Sequence, residues 1–356
     1  MATRRRAALL TRLRSGRLVE KIREHGDAAE TRFRHDHAPR AGHVMRAALI
    51  ADVGAMPAVG DVDVPSGETI EVLAAPINPI DLAVSRGILA TGHPELPYVP
   101  GCEAVGRTSD GRLVWLFGGS LGRTSNGAMA ERARVGDSHL YEVPDGADPA
   151  LAAGLGIAGL AGWLPFVWRA PLEGGENVLV LGATGSVGLV AVQVSKLLGA
   201  GRVVAAGRCA EGLERAVQLG ADATVRLDEA EDLVAAFKDA FGGEGPDYVF
   251  DPLWGEPAAA AVQAAVPWAR MVNLGQSAGA MSELASAAVR FKSLTILGHT
   301  SFAVAPDELA DHYRRLVEHA VAGEIVLDVE RVPLDAVADA WRRQAEGARA
   351  KLVVVP

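Results

Sequence analysis

Apolar and polar positions follow two different rhythms along this chain, and the change falls near residue 147. From Met45 to about Asp145 the apolar runs are short and are broken by Gly and Pro, as at residues 45–51, 68–74, 104–108, 112–117 and 128–135. Runs of that kind predict strands, and together they predict a small, mostly β, barrel-like domain. After Ala147 strand-length apolar runs alternate with helical periodicity. Strands are predicted at residues 177–182, 202–206, 223–227, 248–251, 270–274 and 294–298, with helices between most of them, for example 211–219 and 231–241. Six strands spaced in this way make one doubly wound sheet of the α/β class. A long helix over 307–322 then leads away. The stretches 329–332, 334–345 and 351–355 are too short for a third domain and are expected to rejoin the first. There are no internal repeats.

The 44 residues that precede this pattern differ from it. They carry Arg4, Arg5, Arg6, Arg12, Arg14 and further arginines, few large apolar residues after Val19, and a loose ending over 35–43. A basic amphipathic helix over 8–22 is conceivable from the pattern, and an Arg-rich start has the flavour of a transit peptide, but Glu20, Glu24, Asp27 and Glu30 interrupt it. Residues 1–44 are therefore read as a disordered extension, or as the product of a misread start codon.

One turn carries the chemistry. Residues 178–181 run straight into Gly182, Gly185 and Gly188 and then into a helical pattern over 189–198. A side chain in such a turn would hold a pyrophosphate away from the backbone amides and from the positive end of the following helix. The spacing departs from G-x-G-x-x-G, because Ala183 and Thr184 separate the first two glycines. Its strand-turn-helix context is what makes it a dinucleotide site. The next strand runs into Gly207 and Arg208, where an Asp or Glu would hold a ribose 2′-hydroxyl. No acid stands there, and an arginine fork suits a 2′-phosphate, so NADP(H) is favoured over NAD(H). The other reading of Arg208 is a solvated strand-end arginine paired with Glu211.

Composition narrows the class. A length of 356 residues with 49% hydrophobic content is enough for about two domains with sizeable cores. The apolar stretch over 147–170 is interrupted by Gly, Pro and Arg, so no membrane span of roughly 18 residues is expected. A net charge of −9 argues against a nucleic-acid partner. Only Cys102 and Cys209 are present, which excludes a disulfide framework and a four-cysteine zinc site and fits a reducing, cytoplasmic setting.

Several further stretches resemble the medium-chain dehydrogenase/reductase superfamily, and within it the zinc-independent quinone oxidoreductase-like branch. They are Asn78-Pro79-Ile80-Asp81-Leu82 with Arg86 and Gly87, residues 96–103 with Gly106, the glycine turn with Gln193 and Lys196, residues 219–222, and Leu274-Gly275-Gln276-Ser277. The resemblance covers residues 45–356. It implies a GroES-like, mostly β catalytic domain over 45–146 and 300–356, and a Rossmann-type doubly wound NADP-binding domain over 147–299, with the nicotinamide in the cleft between them. It places Thr184, Gly185, Ser186 and Val187 against the pyrophosphate, and Gly207 and Arg208 at the adenosine phosphate. Gly275, Gln276 and Ser277 fall near the nicotinamide ribose, and Pro252 and Leu253 along the nicotinamide. It also implies a homodimer paired through the last Rossmann strand, an otherwise exposed edge.

Against zinc-using relatives, Asn78 and Cys102 stand where a cysteine and a histidine are found, and a catalytic zinc needs about three protein ligands. No metal is expected, with His93 and His139 read as ordinary surface or core residues. Hydride transfer to a quinone or an α,β-unsaturated carbonyl remains feasible without a Lewis acid. Asn78 is the first candidate for a hydrogen bond to the substrate oxygen, its other reading being an Asx turn before Pro79. Asp81 is read as stabilising its loop. No tyrosine follows Gly87, Tyr98 looks packed between prolines, and solvent is the expected proton source. Ile88, Leu89 and Phe302 suggest a small hydrophobic electrophilic substrate, and Trp254 and Phe302 either shape its pocket or pack on another subunit. The alternatives kept are a non-catalytic NADPH-binding sensor or structural protein, and a pathway-specific enoyl reductase or dehydrogenase.

Overall fold

The computed structural model describes residues 44–356. The reading of residues 1–44 therefore lies, apart from Val44, outside the described residues. Fifteen strands follow in chain order: β1 (Val44–Leu49), β2 (Ala58–Asp63), β3 (Thr69–Pro76), β4 (Glu103–Arg107), β5 (Leu113–Phe117), β6 (Arg132–Arg134), β7 (His139–Glu142), β8 (Asn177–Leu181), β9 (Arg202–Gly207), β10 (Ala223–Arg226), β11 (Tyr248–Asp251), β12 (Arg270–Asn273), β13 (Thr295–Gly298), β14 (Val329–Pro333) and β15 (Lys351–Val355). They form a two-stranded β1-β2 ribbon, a six-stranded sheet ordered β10-β9-β8-β11-β12-β13, and a seven-stranded sheet ordered β14-β15-β3-β4-β5-β7, with β6 paired to β3.

Every neighbouring pair in the six-stranded sheet is parallel. Its central strands are apolar, Val178 to Leu181 and Val203 to Ala206 all being buried, as strands covered on both faces must be. The chain moves outward from β8 through β9 to β10, then returns to the other side of β8 with β11. That reversal is the topological switch of a doubly wound fold, and ligands bind at the carboxyl ends of the strands beside it.

The seven-stranded sheet joins the two ends of the described chain. β15 runs antiparallel to β3 (Val353 opposite Pro76) and parallel to β14, so the C-terminal residues complete the β domain built from residues 44–142. The predicted return of these short segments is thus a matter of backbone pairing.

Between the sheets runs one kinked helix. Pro149–Gly154 is α-helical, with the Asp148 side chain accepting from Ala150 and Leu151 N–H. It passes through π-helical Leu155–Gly159, α-helical Leu160–Leu164 and π-helical Pro165–Arg169. Its first turns pack on the β domain. Its last reach the parallel sheet, where Phe166 stacks on Tyr248 and Phe250 and the Tyr248 hydroxyl donates to Pro165 O at 2.7 Å. The boundary drawn from the sequence at 146/147 falls at the head of this shared helix. At 21 residues, Pro149–Arg169 is long and apolar enough to cross a membrane, contrary to the expectation from its interruptions, but 78% of its most apolar window is buried inside the protein. Its apolar surface is consumed by the core.

Candidate functional site

The turn after β8 sits at the switch point and is shaped by close approaches. Gly182 has φ +65°, and a Cβ there would also lie 3.1 Å from Pro252 Cγ and from Leu253 Cδ2. The loop after β11 is thereby brought against the turn, as an opening between β8 and β11 requires. The helix Ser186–Leu197 presses on the same turn, since a Cβ on Gly188 would fall 2.3 Å from Gly182 O. Gly185 differs from these, because a Cβ there would meet nothing within 4 Å. The first helical hydrogen bond is Leu189 N–H to Gly185 O at 2.9 Å, which leaves the N–H groups of Ser186, Val187 and Gly188 without helical acceptors. Open space, unpartnered amides and the positive helix end coincide, and this cradle fits a pyrophosphate.

The remaining cofactor residues gather around it. Gly207 ends β9 so close to Thr184 that a Cβ would stand 2.4 Å from Thr184 Cγ2. Arg208 follows, exposed, and its charge helps to hold the Asp228 carboxyl below its usual range, after the hydrogen bond that Asp228 takes from Arg226. Glu211, the possible partner of Arg208, is instead paired with Arg349 at 3.0 Å. On the other side of the switch, Gly275 approaches Pro252 O, and the Ser277 hydroxyl donates to the same oxygen at 3.2 Å. Gly275 is half-buried, while Gln276 and Ser277 are exposed.

Two residues missed in the sequence organise this side. The buried Asp251 carboxylate accepts Leu253 N–H at 2.9 Å and Trp254 N–H at 2.8 Å through Oδ1, and Asn273 Nδ2 at 2.8 Å through Oδ2. These bonds hold Trp254 at φ 56°, a left-handed conformation costly for a bulky residue. Burial pushes the Asp251 carboxyl up, against the pull of these donors. An acid closing the apolar run Tyr-Val-Phe was the available signal.

A second cluster lies in the β domain and is wholly buried. Glu103, the first residue of β4, accepts from Asn78 Nδ2 at 2.8 Å through Oε1, and from Trp115 Nε1 and Ile157 N–H, both at 2.8 Å, through Oε2. Ile157 belongs to the π-helical turn, whose irregular backbone presents this N–H. Lys351, opening β15, donates to Asn78 Oδ1 at 2.5 Å and to Ile77 O at 2.9 Å. Burial pushes Glu103 up to about 7, with Lys351 pulling the other way, and burial pushes Lys351 down to about 8. Asp81 accepts Asn78 N–H at 2.7 Å and Cys102 N–H at 2.9 Å, which ties the head of the helix Pro79–Ser85 to the start of β4.

Asn78, expected to face the substrate, is therefore 0% exposed, and both ends of its amide are engaged by Glu103 and Lys351. In this geometry it positions its loop. The other reading of Asn78, a local cap before Pro79, stands beside this, because Asn78 and Asp81 form a capping box at the head of the helix Pro79–Ser85. Tyr98 is 1% exposed and its hydroxyl has no partner. Ile88 is 67% exposed, and Phe302 packs on Phe117 at 4.8 Å. His93 bonds to Pro94 O, and His139 is exposed on β7. Among the described residues no three His, Cys, Asp or Glu side chains gather as metal ligands.

Comparison with known proteins joins the two halves of this site to one family. Residues 186–318 match the family described as zinc-binding dehydrogenase. Human quinone oxidoreductase is 25% identical over 294 residues, 80% of this chain and 88% of that protein. The chain belongs to the medium-chain dehydrogenase/reductase superfamily, in its quinone oxidoreductase-like branch. Its relatives include quinone oxidoreductases, which supports an oxidoreductase with a nicotinamide cofactor. A phenolphthiocerol/phthiocerol polyketide synthase of Mycobacterium tuberculosis is 28% identical over 306 residues, 82% of this chain, and the match spans only 14% of that much longer protein. Among solved structures, a mycobacterial protein complexed with NADPH has a TM-score of 0.73 at 23% identity, with 88% of this chain and 100% of that chain covered. An NAD-dependent alcohol dehydrogenase has a TM-score of 0.75 at 24% identity, with the same coverage. At these identities the structural likenesses establish the fold of this medium-chain dehydrogenase/reductase and nothing finer.

Proposed function

We propose that this medium-chain dehydrogenase/reductase is an NADPH-dependent, zinc-independent reductase of a quinone or an α,β-unsaturated carbonyl. The observation that carries the reading is the cradle at the switch point with Arg208 exposed at its rim and no acid at the tip of β9. Thr184 to Val187 would hold the pyrophosphate, and Arg208 the 2′-phosphate. Pro252, Leu253 and Gly275 to Ser277 would line the nicotinamide half. When bound, the cofactor supplies a hydride from C4 of its nicotinamide.

The zinc named in the family description does not fit these residues. Asp81 and Glu103 are spent on N–H donors, two for the aspartate and three for the glutamate, the Cys102 thiol is buried and pushed up by burial and by Asp81, and Asn78 is a poor ligand. No step is routed through a metal. Polarisation must come from positioned dipoles, with Asn78 acting as a positioning residue for its loop. The buried hydroxyl of Tyr98 supports solvent as the proton source.

The unpaired edge of β13, flanked by exposed Trp268 (76%) and Phe291 (80%), supports a homodimer through that strand. The free thiols of Cys102 and Cys209 support a reducing, cytoplasmic setting. Two alternatives keep specific support. The full burial of Asn78 and Tyr98 favours a non-catalytic NADPH-binding protein, and the match within a polyketide synthase favours a pathway-specific enoyl reductase.

Cofactor preference and turnover are tested separately. Removing one charge-assisted contact in Arg208→Ala costs about 1.5 to 3 kcal/mol, or roughly ten- to a hundredfold in NADPH affinity, and leaves NADH within about twofold. Equal losses for both cofactors remove the phosphate role. NADPH oxidation against quinones, enones and aldehydes then decides turnover, and tight binding with no turnover on any acceptor establishes the non-catalytic reading.

A further inference from the structure

Arg123 is a cation, among the described residues, that neither the cofactor cradle nor an ion pair accounts for. It lies in the loop between β5 and β6, seated on the start of β4, since a Cβ on the preceding Gly122 would fall 2.4 Å from Gly101 O and 2.9 Å from Cys102 N. Its guanidinium carbon stands 4.5 Å from the centroid of Phe302. Phe302 in turn lies 4.8 Å from Phe117, which stacks 4.7 Å from Trp115, the partner of Glu103. Phe302 belongs to the segment that leaves the carboxyl end of β13, the end of the parallel sheet at which the cofactor cradle opens. Arg123 thus stands where the β domain meets the segment that leaves that end of the parallel sheet.

Its hydrogen bonding is incomplete. Nη2 donates to Gly119 O, while Nε is buried and has no partner. No carboxylate lies within ion-pair distance of it among the described residues. Asp137, the acid near enough to feel its charge, is held below its usual range chiefly by the backbone N–H and side-chain hydroxyl of Ser120, from which it accepts. On the inner side, Arg123 opposes the upward push that burial and Asp81 give the Cys102 thiol. The accessible part of this half-buried guanidinium is left to solvent or to a ligand, and its planar fork is matched to a carboxylate.

We propose that Arg123 determines specificity by holding a carboxylate on the substrate, with Phe302 stacked beneath the ion pair. The acceptor is then an unsaturated or quinoid compound bearing an acidic group, and not a wholly neutral one. Phe302 covers the apolar body of such a substrate while the guanidinium fixes its orientation. This rests on the reductase reading for the meaning of the site, but its test does not need turnover.

The full chain saturated with NADP+, which occupies Arg208, is titrated with cinnamate and with its neutral isostere cinnamamide by calorimetry. The wild type is expected to bind cinnamate at least about tenfold more tightly. Arg123→Met keeps the stem on Phe302 and is expected to weaken cinnamate about ten- to a hundredfold while leaving cinnamamide within about twofold, with Arg123→Lys in between. Equal affinity of the wild type for the two ligands, or equal losses of both in Arg123→Met, overturns the proposal and makes Arg123 a stacking residue only. The wild-type comparison stands even where a variant fails to fold. Reduction of carboxylate-bearing and of neutral quinones by NADPH is followed separately, so loss of the reductase reading, seen as no turnover of either, and loss of the carboxylate site give different results.

Discussion

Gly156 offers the sharpest test of the buried cluster, because the structure says in advance what an added methyl would strike. A Cβ at this position would stand 2.0 Å from Glu103 Oε2 and 2.5 Å from Trp115 Nε1. Neither neighbour can yield freely. Oε2 is fixed by Trp115 Nε1 and Ile157 N–H, and the indole is stacked between Phe117 at 4.7 Å and Tyr313 at 4.5 Å. Relieving the contact moves the carboxylate by more than about 1 Å and breaks at least one bond, stranding a buried polar group at about 1 to 3 kcal/mol, while overpacking adds about 1 to 3 kcal/mol. Gly156→Ala is therefore expected to lower the free energy of unfolding by about 2 to 6 kcal/mol. Gly159→Ala, in the same π-helical turn, has the side chains of Leu155 and Leu316 as its nearest neighbours at 3.0–3.1 Å and is expected to stay within about 1 kcal/mol of the wild type.

Urea unfolding followed by tryptophan fluorescence measures both, and a double-mutant cycle with Glu103→Ala supplies the decisive number. Once the carboxylate is gone, Gly156→Ala should cost less, by a coupling of at least about 1.5 kcal/mol; Trp115 remains in the way, so relief is partial. A single variant within about 1 kcal/mol of the wild type, or costs that simply add, would refute the contact on which the reasoning stands.

The remaining predictions separate the cradle from the core and test the sign of a pH effect. Gly188→Ala, whose Cβ would strike Gly182 backbone, should lose about 1 to 3 kcal/mol of stability, whereas Gly185→Ala, with nothing within 4 Å, should keep its stability and lose NADPH affinity about tenfold or more. Matched urea and NADPH titrations check this pair, and a stability loss in Gly185→Ala contradicts it. Burial holds Glu103 up at about 7, above its ordinary 4.5, so the folded state keeps a proton that the unfolded chain releases between those values. Stability from this group is then present at pH 4.5 and lost as the pH rises to 7, by about 2 to 3 kcal/mol, and the decline should flatten in Glu103→Gln. Parallel pH profiles for the two proteins would remove that assignment.

The nucleotide-binding half was legible because its signals are local. The central parallel strands are continuous apolar runs that end in turns, and the glycine turn after β8 follows its strand and precedes its helix without a gap. Arg208 could be singled out for the same reason, as a single residue at a strand tip, and its phosphate role is a proposal. The β domain was less so. β2, β7 and the helix Pro79–Ser85 carry mixed polarity, and residues 128–135, read as one strand, contribute only the three-residue β6. The shared helix was hidden because its two π-helical turns break the 3.6-residue period. Asn78 was singled out correctly as an unusual residue but given the wrong surroundings by a reading that could not see Lys351 273 positions away. Glu103 and Lys351 did leave a trace, as single charges opening apolar strands, yet nothing in the sequence pairs them.

What the buried cluster does follows from which elements it joins. Asn78 follows β3, Glu103 opens β4, Trp115 sits in β5, Lys351 opens β15, and Ile157 lies in the helix that continues to the cofactor-binding sheet. Removing charges from water costs more than their attraction readily returns, so such a network is weak as a source of stability. Its value is selectivity: each bond is made only when β15 is in register with β3 and the helix has its π-helical turn at Gly156. A slip of either would leave a carboxylate or an ammonium buried and alone. The network therefore fixes the angle at which the shared helix leaves the β domain, and with it where Phe302 and Arg123 stand relative to the turn at Gly182. Damage to the cluster should reach substrate binding through misplacement of the two halves, and through the shared helix, where a Cβ on Gly162 would stand 2.8 Å from Val187 O, it also bears on the cradle.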